Sequence, residues 1–271
     1  MIHDFRYIRP KSLEEVHDLL SNRSEQGCVF SGGTDLFVDI RAGLSTPDFV
    51  VDLKAIESLH QFSFDKQEGL IIGACVTVNE LIRHAAVQKH YSILATAGRE
   101  LATHQIRNRA TVVGNVVTAS PCGDMASPLL CLDAEVVVLS SKGSRNILLS
   151  DFITGVKSTR LRPDEIVEKI LVPGRMIDAI GGYKKLKRIR GHDLGVVSVA
   201  LLKGKDTLRF AISSAAPTPV LLTDFPPSTS VRDIQAAAQR AISPIDDVRC
   251  SKEYRAFMVS AFIERLMNEA G

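Results

Sequence analysis

The stretch CVFSGGTDLF (28–37) decides how this chain is read. A short apolar run, Cys28-Val29-Phe30, stops abruptly at Ser31-Gly32-Gly33. Leu36, Phe37 and Ile40 then recur at helical spacing as far as Gly43, a natural helix stop. The unit is therefore a buried strand, a glycine turn and a short helix. Backbone binding of an anion needs N–H groups that converge with no Cβ in the way, and glycine supplies both the close approach and the positive φ angles. A Gly-Gly between strand and helix is also, more often than not, a plain tight turn.

Working outward, SLEEVHDLL (12–20) carries a Ser12…Glu15 capping signature before apolar residues at helical spacing. Residues 49–53 form the next strand and Leu70–Gly73 another. Asn79 is a candidate cap for the helix after it, and a longer helix covers 91–102. The segment 103–127 is rich in small and polar residues and reads as loop. Ala134–Leu139 and Arg145–Leu149 make a hairpin around the turn 141–144, and Ile166–Val172 is a further strand. Pro173-Gly174 and the loose segment after it form the best domain boundary. Beyond it lie three strands (183–189, 194–202, 207–215) and two helices, the first starting at Ser230…Asp233. The last helix sets Tyr254, Phe257, Met258, Ala261 and Phe262 on one predicted apolar face. Strands followed by helices point to α+β packing.

Bulk properties narrow the function. The 271 residues are 45% hydrophobic and 24% charged, with 33 basic against 31 acidic residues. That balance leaves no electrostatic footprint for nucleic acid. No run approaches the roughly 18 apolar residues of a membrane span. The start, MIHDFRYIRP, has no apolar signal region, so the cytoplasm is the expected compartment. Five scattered cysteines without a C-x-x-C pair read as free thiols, and argue against a zinc or iron–sulfur site built from this chain alone.

A second turn, Thr111-Val112-Val113-Gly114-Asn115, follows the polar segment 103–110. Neither turn is G-x-G-x-x-G with a following acid, nor a Walker loop. The ensemble is more specific. VFSGGTDLF (29–37), QIRNRATVVGNVVTASPCGDMASPLLCLDAEV (105–136), YKKLKRIRGHD (183–193), AAPTPV (215–220) and SPIDDVRCSKEYR (243–255) fall in a fixed order. Together they resemble the flavoprotein subunit of molybdenum hydroxylases, the family that includes the medium subunits of carbon monoxide, nicotinate and xanthine dehydrogenases. The resemblance implies an α+β chain. Residues 1–175 would be a two-part FAD-binding domain of the PCMH/vanillyl-alcohol-oxidase type, with subdomains of about 1–55 and 56–175. Residues 176–271 would be a smaller α+β domain with a three-stranded sheet and helices.

It also implies a cofactor site. The loop Val29, Phe30, Ser31, Gly32, Gly33, Thr34, Asp35 and Leu36 and the loop Thr111, Val112, Val113, Gly114 and Asn115 would grip the FAD pyrophosphate from both sides. Ser120, Asp124, Leu101, Val167 and Lys185 match further FAD contacts. A lysine beside a diphosphate or a flavin carbonyl is chemically apt. One position departs from the family's T-[IV]-G-G-N: Val113 stands where the first glycine is expected, and a β-branched side chain resists positive φ. The implied partners are a molybdopterin-binding large subunit and a [2Fe–2S] small subunit, with NAD or another electron acceptor, and a purine or other N-heterocycle as the parent enzyme's substrate.

Plainer readings stand beside these. Asp124 is as well placed to cap a helix starting near Met125. The basic run Lys184, Lys185, Lys187, Arg188 and Arg190 reads as a solvated strand face apart from Lys185. His104 and His192 read as satisfied polar residues, and Cys122 as a small filler. Two other functions remain open: a stand-alone flavin oxidoreductase, which needs its own substrate cavity, and a cofactor-free scaffold subunit, which Val113 suggests.

Overall fold

In a computed structural model of the chain, residues 3–21, 25–177, 179–189, 191 and 193–271 are described; Arg190 and His192 lie outside them. The chain begins with β1 (Arg6–Ile8), α1 (Leu13–Ser21), β2 (Gly27–Phe30), α2 (Leu36–Arg41) and β3 (Phe49–Asp52). These strands form a parallel sheet in the order β1-β3-β2. The middle strand, Phe49-Val50-Val51-Asp52, is buried at every position, which is why it reads as an unbroken apolar run ending in an acid. Ser12 accepts from the Glu15 N–H at 3.2 Å, as its spacing predicts, while the Glu15 carboxylate takes the Lys11 N–H at 2.8 Å.

The next block holds β4 (Phe62–Asp65), β5 (Gly69–Gly73), α3 (Val78–Arg83), α4 (Ala85–His90), α5 (Ser92–Glu100), α6 (His104–Arg107), α7 (Val112–Val117) and α8 (Ala126–Cys131). After them come β6 (Glu135–Ser140), β7 (Gly143–Leu148), α9 (Leu149–Phe152), β8 (Ile153–Gly155), β9 (Ser158–Thr159) and β10 (Ile166–Val172). An antiparallel sheet in the order β4-β5-β10-β6-β7 backs the helices. Asn79 is not the cap of α3. Thr77 is, in a reciprocal box with Glu80, and Asn79 is the second residue of the helix, donating to the His104 carbonyl and Asn108. The segment 103–127, expected as loop, contains two short helices, α6 and α7, and the start of α8. The first two start at threonine caps: Thr103 accepts from the Ile106 N–H and Thr111 from the Gly114 N–H.

The last block is β11 (Ile180–Leu186), β12 (Val197–Lys203), β13 (Leu208–Ser213), β14 (Val220–Phe225), α10 (Val231–Ala241) and α11 (Lys252–Glu269). Its antiparallel sheet has four strands, not the three expected. The fourth, directly after Pro217 and Pro219, is an edge strand that among the described residues pairs with β13 alone, so the nearby prolines cost no ladder bond. The apolar stripe of α11 also divides. Met258 and Phe262 are buried with Val259, Ile263 and Leu266, whereas Tyr254 and Phe257 stack on each other in solvent, with ring centres 6.4 Å apart. Helix α5 packs on β11, and α8 on β12 and β13, so the last sheet closes one side of the helical layer. Among the described residues, no helix is long and apolar enough to cross a membrane.

Candidate functional site

A cavity of about 340 Å³ opens where the first parallel sheet, the helical layer and the strands β10 and β11 meet. Seventeen of the eighteen residues expected at the cofactor site line it: Val29 to Leu36, Leu101, Thr111, Val113, Gly114, Asn115, Ser120, Asp124, Val167 and Lys185. Val112 does not. Successive helical side chains point about 100° apart, so on α7 the neighbours Val112 and Val113 cannot share a direction. Val112 is fully buried in the core, its N–H spent on the Val76 carbonyl at 3.1 Å.

The first wall is the glycine turn. Gly33 has φ +73°, the region glycine tolerates, and a Cβ on Gly32 would lie 2.3 Å from the Arg109 carbonyl oxygen. A side chain there has no room. Among the described residues, no protein acceptor takes the backbone N–H of Gly32, Gly33, Thr34 or Asp35. The Ser31 hydroxyl is turned away, donating to the Ala74 carbonyl at 3.1 Å.

The second wall is the start of α7. Thr111 caps it, and Asn115 accepts the Met125 N–H at 3.0 Å, tying this turn to the Asp124 loop. Val113 sits in right-handed helical backbone, so its β-branch meets no strained φ, and its side chain forms apolar wall. Thr118 on α7 donates to the Asp35 carboxylate at 3.3 Å and thereby links the two turns.

Asp124 and Lys185 close the inner end. Lys185 Nζ lies 2.8 Å from the Asp124 carboxylate and 3.1 Å from the Glu100 carbonyl, and the Tyr183 hydroxyl donates to the other Asp124 oxygen at 2.9 Å. Burial pushes the Asp124 carboxyl up and the Lys185 ammonium opposes it. Asp124 does not cap α8, whose first turn begins at Met125 without a side-chain cap. The neighbouring lysines are paired as well, Lys184 with Glu269 and Lys187 with Glu100, so that strand is less a solvated face than a row of ion pairs. Leu101 is held in place by Arg107, whose guanidinium donates to the carbonyls of Arg99, Leu101 and Ala102 and so gathers the end of α5.

The cavity also has walls the sequence did not reveal: Ala74, Ala110, Thr118, Glu165 and Leu194. Each comes from an ordinary-looking position, and nothing local to it signals a ligand. Cys122, read as filler, lines the cavity with its sulfur 2.9 Å from Arg249 Nη1.

Residues 3–175 match the family described as the FAD binding domain in molybdopterin dehydrogenase. The chain belongs to that family, the FAD-binding medium subunits of molybdenum hydroxylases. It is 31% identical to the nicotine 6-hydroxylase medium subunit of Paenarthrobacter nicotinovorans, over 98% of this chain and 97% of that one. To the xanthine dehydrogenase FAD-binding subunit of Escherichia coli O157:H7 it is 26% identical, over 97% and 95%. Its fold superposes on a chain of the solved carbon monoxide dehydrogenase of Hydrogenophaga pseudoflava with a TM-score of 0.92 at 27% identity, covering 100% and 98% of the two chains.

This medium subunit is thus an FAD-binding oxidoreductase component, and its cavity suits that cofactor. A diphosphate needs several N–H donors in one place, and four consecutive N–H groups of the first turn have no acceptor among the described residues, on a backbone that a single Cβ would block. The remaining wall is largely apolar, as a flavin ring system requires.

Proposed function

We propose that this subunit passes electrons from [2Fe–2S] clusters on a small partner subunit, through FAD, to NAD or another acceptor. The substrate would be oxidised at a molybdopterin centre on a large subunit. Bound FAD would supply the redox chemistry, which no side chain of this chain performs. The chain's own residues bind, orient and shield. In this reading the N–H groups of Gly32 to Asp35 hold the diphosphate, with the Thr111–Asn115 turn opposite. Val113, Leu101 and Val167 cover apolar faces, and the Asp124–Lys185 pair fixes a buried charge arrangement at the inner end. What supports the reading is a turn whose N–H groups have no acceptor among the described residues and whose residues line the cavity with the second turn.

We further propose that residues 1–175 form the FAD-binding domain, divided near residue 55, and 176–271 a second domain. The separate three-, five- and four-stranded sheets support this division. The compartment we propose is the cytoplasm. For the parent enzyme we favour an N-heterocycle hydroxylase, a leaning supported by the nicotine and xanthine relatives. The carbon monoxide dehydrogenase likeness speaks for a different substrate class.

The test is direct. The purified chain should show a flavin spectrum and release FAD on denaturation, and tagged protein should bring down two partner subunits. The resulting complex should reduce NAD with a heterocycle such as nicotinate or xanthine. A chain that stays colourless after incubation with excess FAD would sink the cofactor assignment. Partners present without NAD reduction would remove that acceptor alone.

A further inference from the structure

Behind the first glycine turn, on the side away from the cavity, lies a cation that does not line the cavity itself. Lys54 Nζ donates to the Ser31 carbonyl at 3.1 Å and to the Asp52 carboxylate at 2.6 Å, and sits 3.6 Å above the centre of the Phe30 ring. Asp52 is almost fully buried at the end of the central strand β3 and also accepts from the Tyr7 hydroxyl of β1. Those hydrogen bonds hold its carboxyl below the usual carboxylate range in spite of burial. The anchor for Lys54 is therefore a fixed negative charge at the end of the buried central strand of the first sheet.

A trans peptide points its C=O and its N–H in opposite directions, and among the described residues every peptide is trans. Ser31 and Gly32 share one such peptide. With the Ser31 oxygen drawn back onto Lys54, the N–H of Gly32 is turned the other way, toward the cavity that Gly32 lines. The ammonium is paired with Asp52, so its contribution is this aim of the N–H rather than net charge behind the turn. An N–H turned outward favours an anion in front of it.

We infer that Lys54 is a positioning residue for the cofactor's diphosphate: through the Ser31 carbonyl it aims the Gly32 N–H into the cavity. The inference rests on the reading that the first glycine turn holds the diphosphate. Tyr7 and Asp52 complete the device by holding Lys54 in register.

The experiment compares the flavin-free full chain with its Lys54→Met, Lys54→Arg and Gly32→Ala variants. FAD is titrated directly, and ADP, which keeps the diphosphate and lacks the flavin ring, is used as competitor. Lys54→Met should weaken FAD and ADP together by about tenfold, the worth of a charge-assisted hydrogen bond. The absorption spectrum of FAD at saturation should stay unchanged, because the ring site is untouched. Lys54→Arg should keep most of the affinity. Unchanged ADP binding in Lys54→Met overturns the inference; so does a loss accompanied by an altered bound-flavin spectrum, which marks general disruption of the site. If Lys54→Met does not fold, Lys54→Gln is measured instead. It keeps a donor and removes the charge, and should still weaken ADP severalfold. Gly32→Ala separates the two levels. If it binds ADP normally, the diphosphate reading itself fails; if it loses ADP while Lys54→Met does not, only the role of Lys54 falls.

Discussion

Replacing Lys185 with methionine tests the inner end of the cavity most sharply. The side chains of Lys185 and Asp124 are 2% and 8% exposed, and their charged atoms stand 2.8 Å apart. Methionine fills much the same volume but leaves Asp124 buried with only the Tyr183 hydroxyl as side-chain donor. Removing one member of a buried pair costs about 3–5 kcal/mol, chiefly through the stranded charge. For a chain of this size that lowers the melting temperature by on the order of 6–20 °C. Burial already raises the Asp124 carboxyl above its usual range. A carboxyl raised on folding costs stability while it is charged and relieves that cost as it protonates. The deficit of Lys185→Met should therefore be largest at neutral and higher pH and shrink as the solution is acidified. The double variant Asp124→Leu with Lys185→Met removes both charges and should recover most of the loss. Thermal and urea unfolding of the flavin-free chain, as a double-mutant cycle across pH, measures all of this. A single variant that loses under about 1 kcal/mol, or a double variant no better than the single, would refute the reasoning.

Other outcomes follow from the same geometry. Gly32→Ala should reduce FAD affinity by about tenfold or more, since its Cβ would meet the Arg109 carbonyl at 2.3 Å; a calorimetric titration decides. Val113→Gly should not tighten FAD, because Val113 occupies ordinary helical backbone. It should instead destabilise the chain by roughly 1–3 kcal/mol through lost burial and helix propensity. Asp247 accepts from Arg249 and the Cys250 N–H and pairs with the Arg255 guanidinium, which together hold its carboxyl well below the usual range in spite of desolvation. A depressed carboxyl contributes stability above its unfolded pKa and loses it as pH falls. Asp247→Asn should therefore destabilise at neutral pH and converge on the parent in acid, as urea midpoints across pH will show. The buried Cys131 thiol, pushed up to about 12, should resist thiol reagents in the folded chain.

The sequence alone carried the local grammar: the strand–turn–helix around Gly32-Gly33, the strand ending at Val172, the Ser230 cap, and the family to which five ordered segments belong. Those signals survive in one dimension because caps, turns and buried strands are properties of neighbouring residues. Errors arose where tertiary context overrode that grammar. Small residues from 103 to 127 read as loop, yet threonine caps and packing made helices of them. The edge strand β14 lies beyond the three strands expected, and its place is set by pairing with β13. Tyr254 and Phe257 fit the apolar period of α11 but face solvent, because the sheet covers the neighbouring Met258–Phe262 face instead.

The site shows the same division. Both glycine turns could be named from sequence, but not that Thr118 and Asp35 link them, nor that Val113 needs no positive φ. Asp124 was equally a helix cap until Lys185 and Tyr183, about sixty positions away, claimed its two oxygens. Lys54 gave no signal at all: its meaning lies in the Ser31 carbonyl, 23 residues distant along the chain, and only the folding of β3 beside β2 brings the two together. Sequence determines which residues can make a turn, a cap or a buried strand. Only the tertiary structure decides which charge faces which carbonyl, because that depends on elements meeting across the sheet.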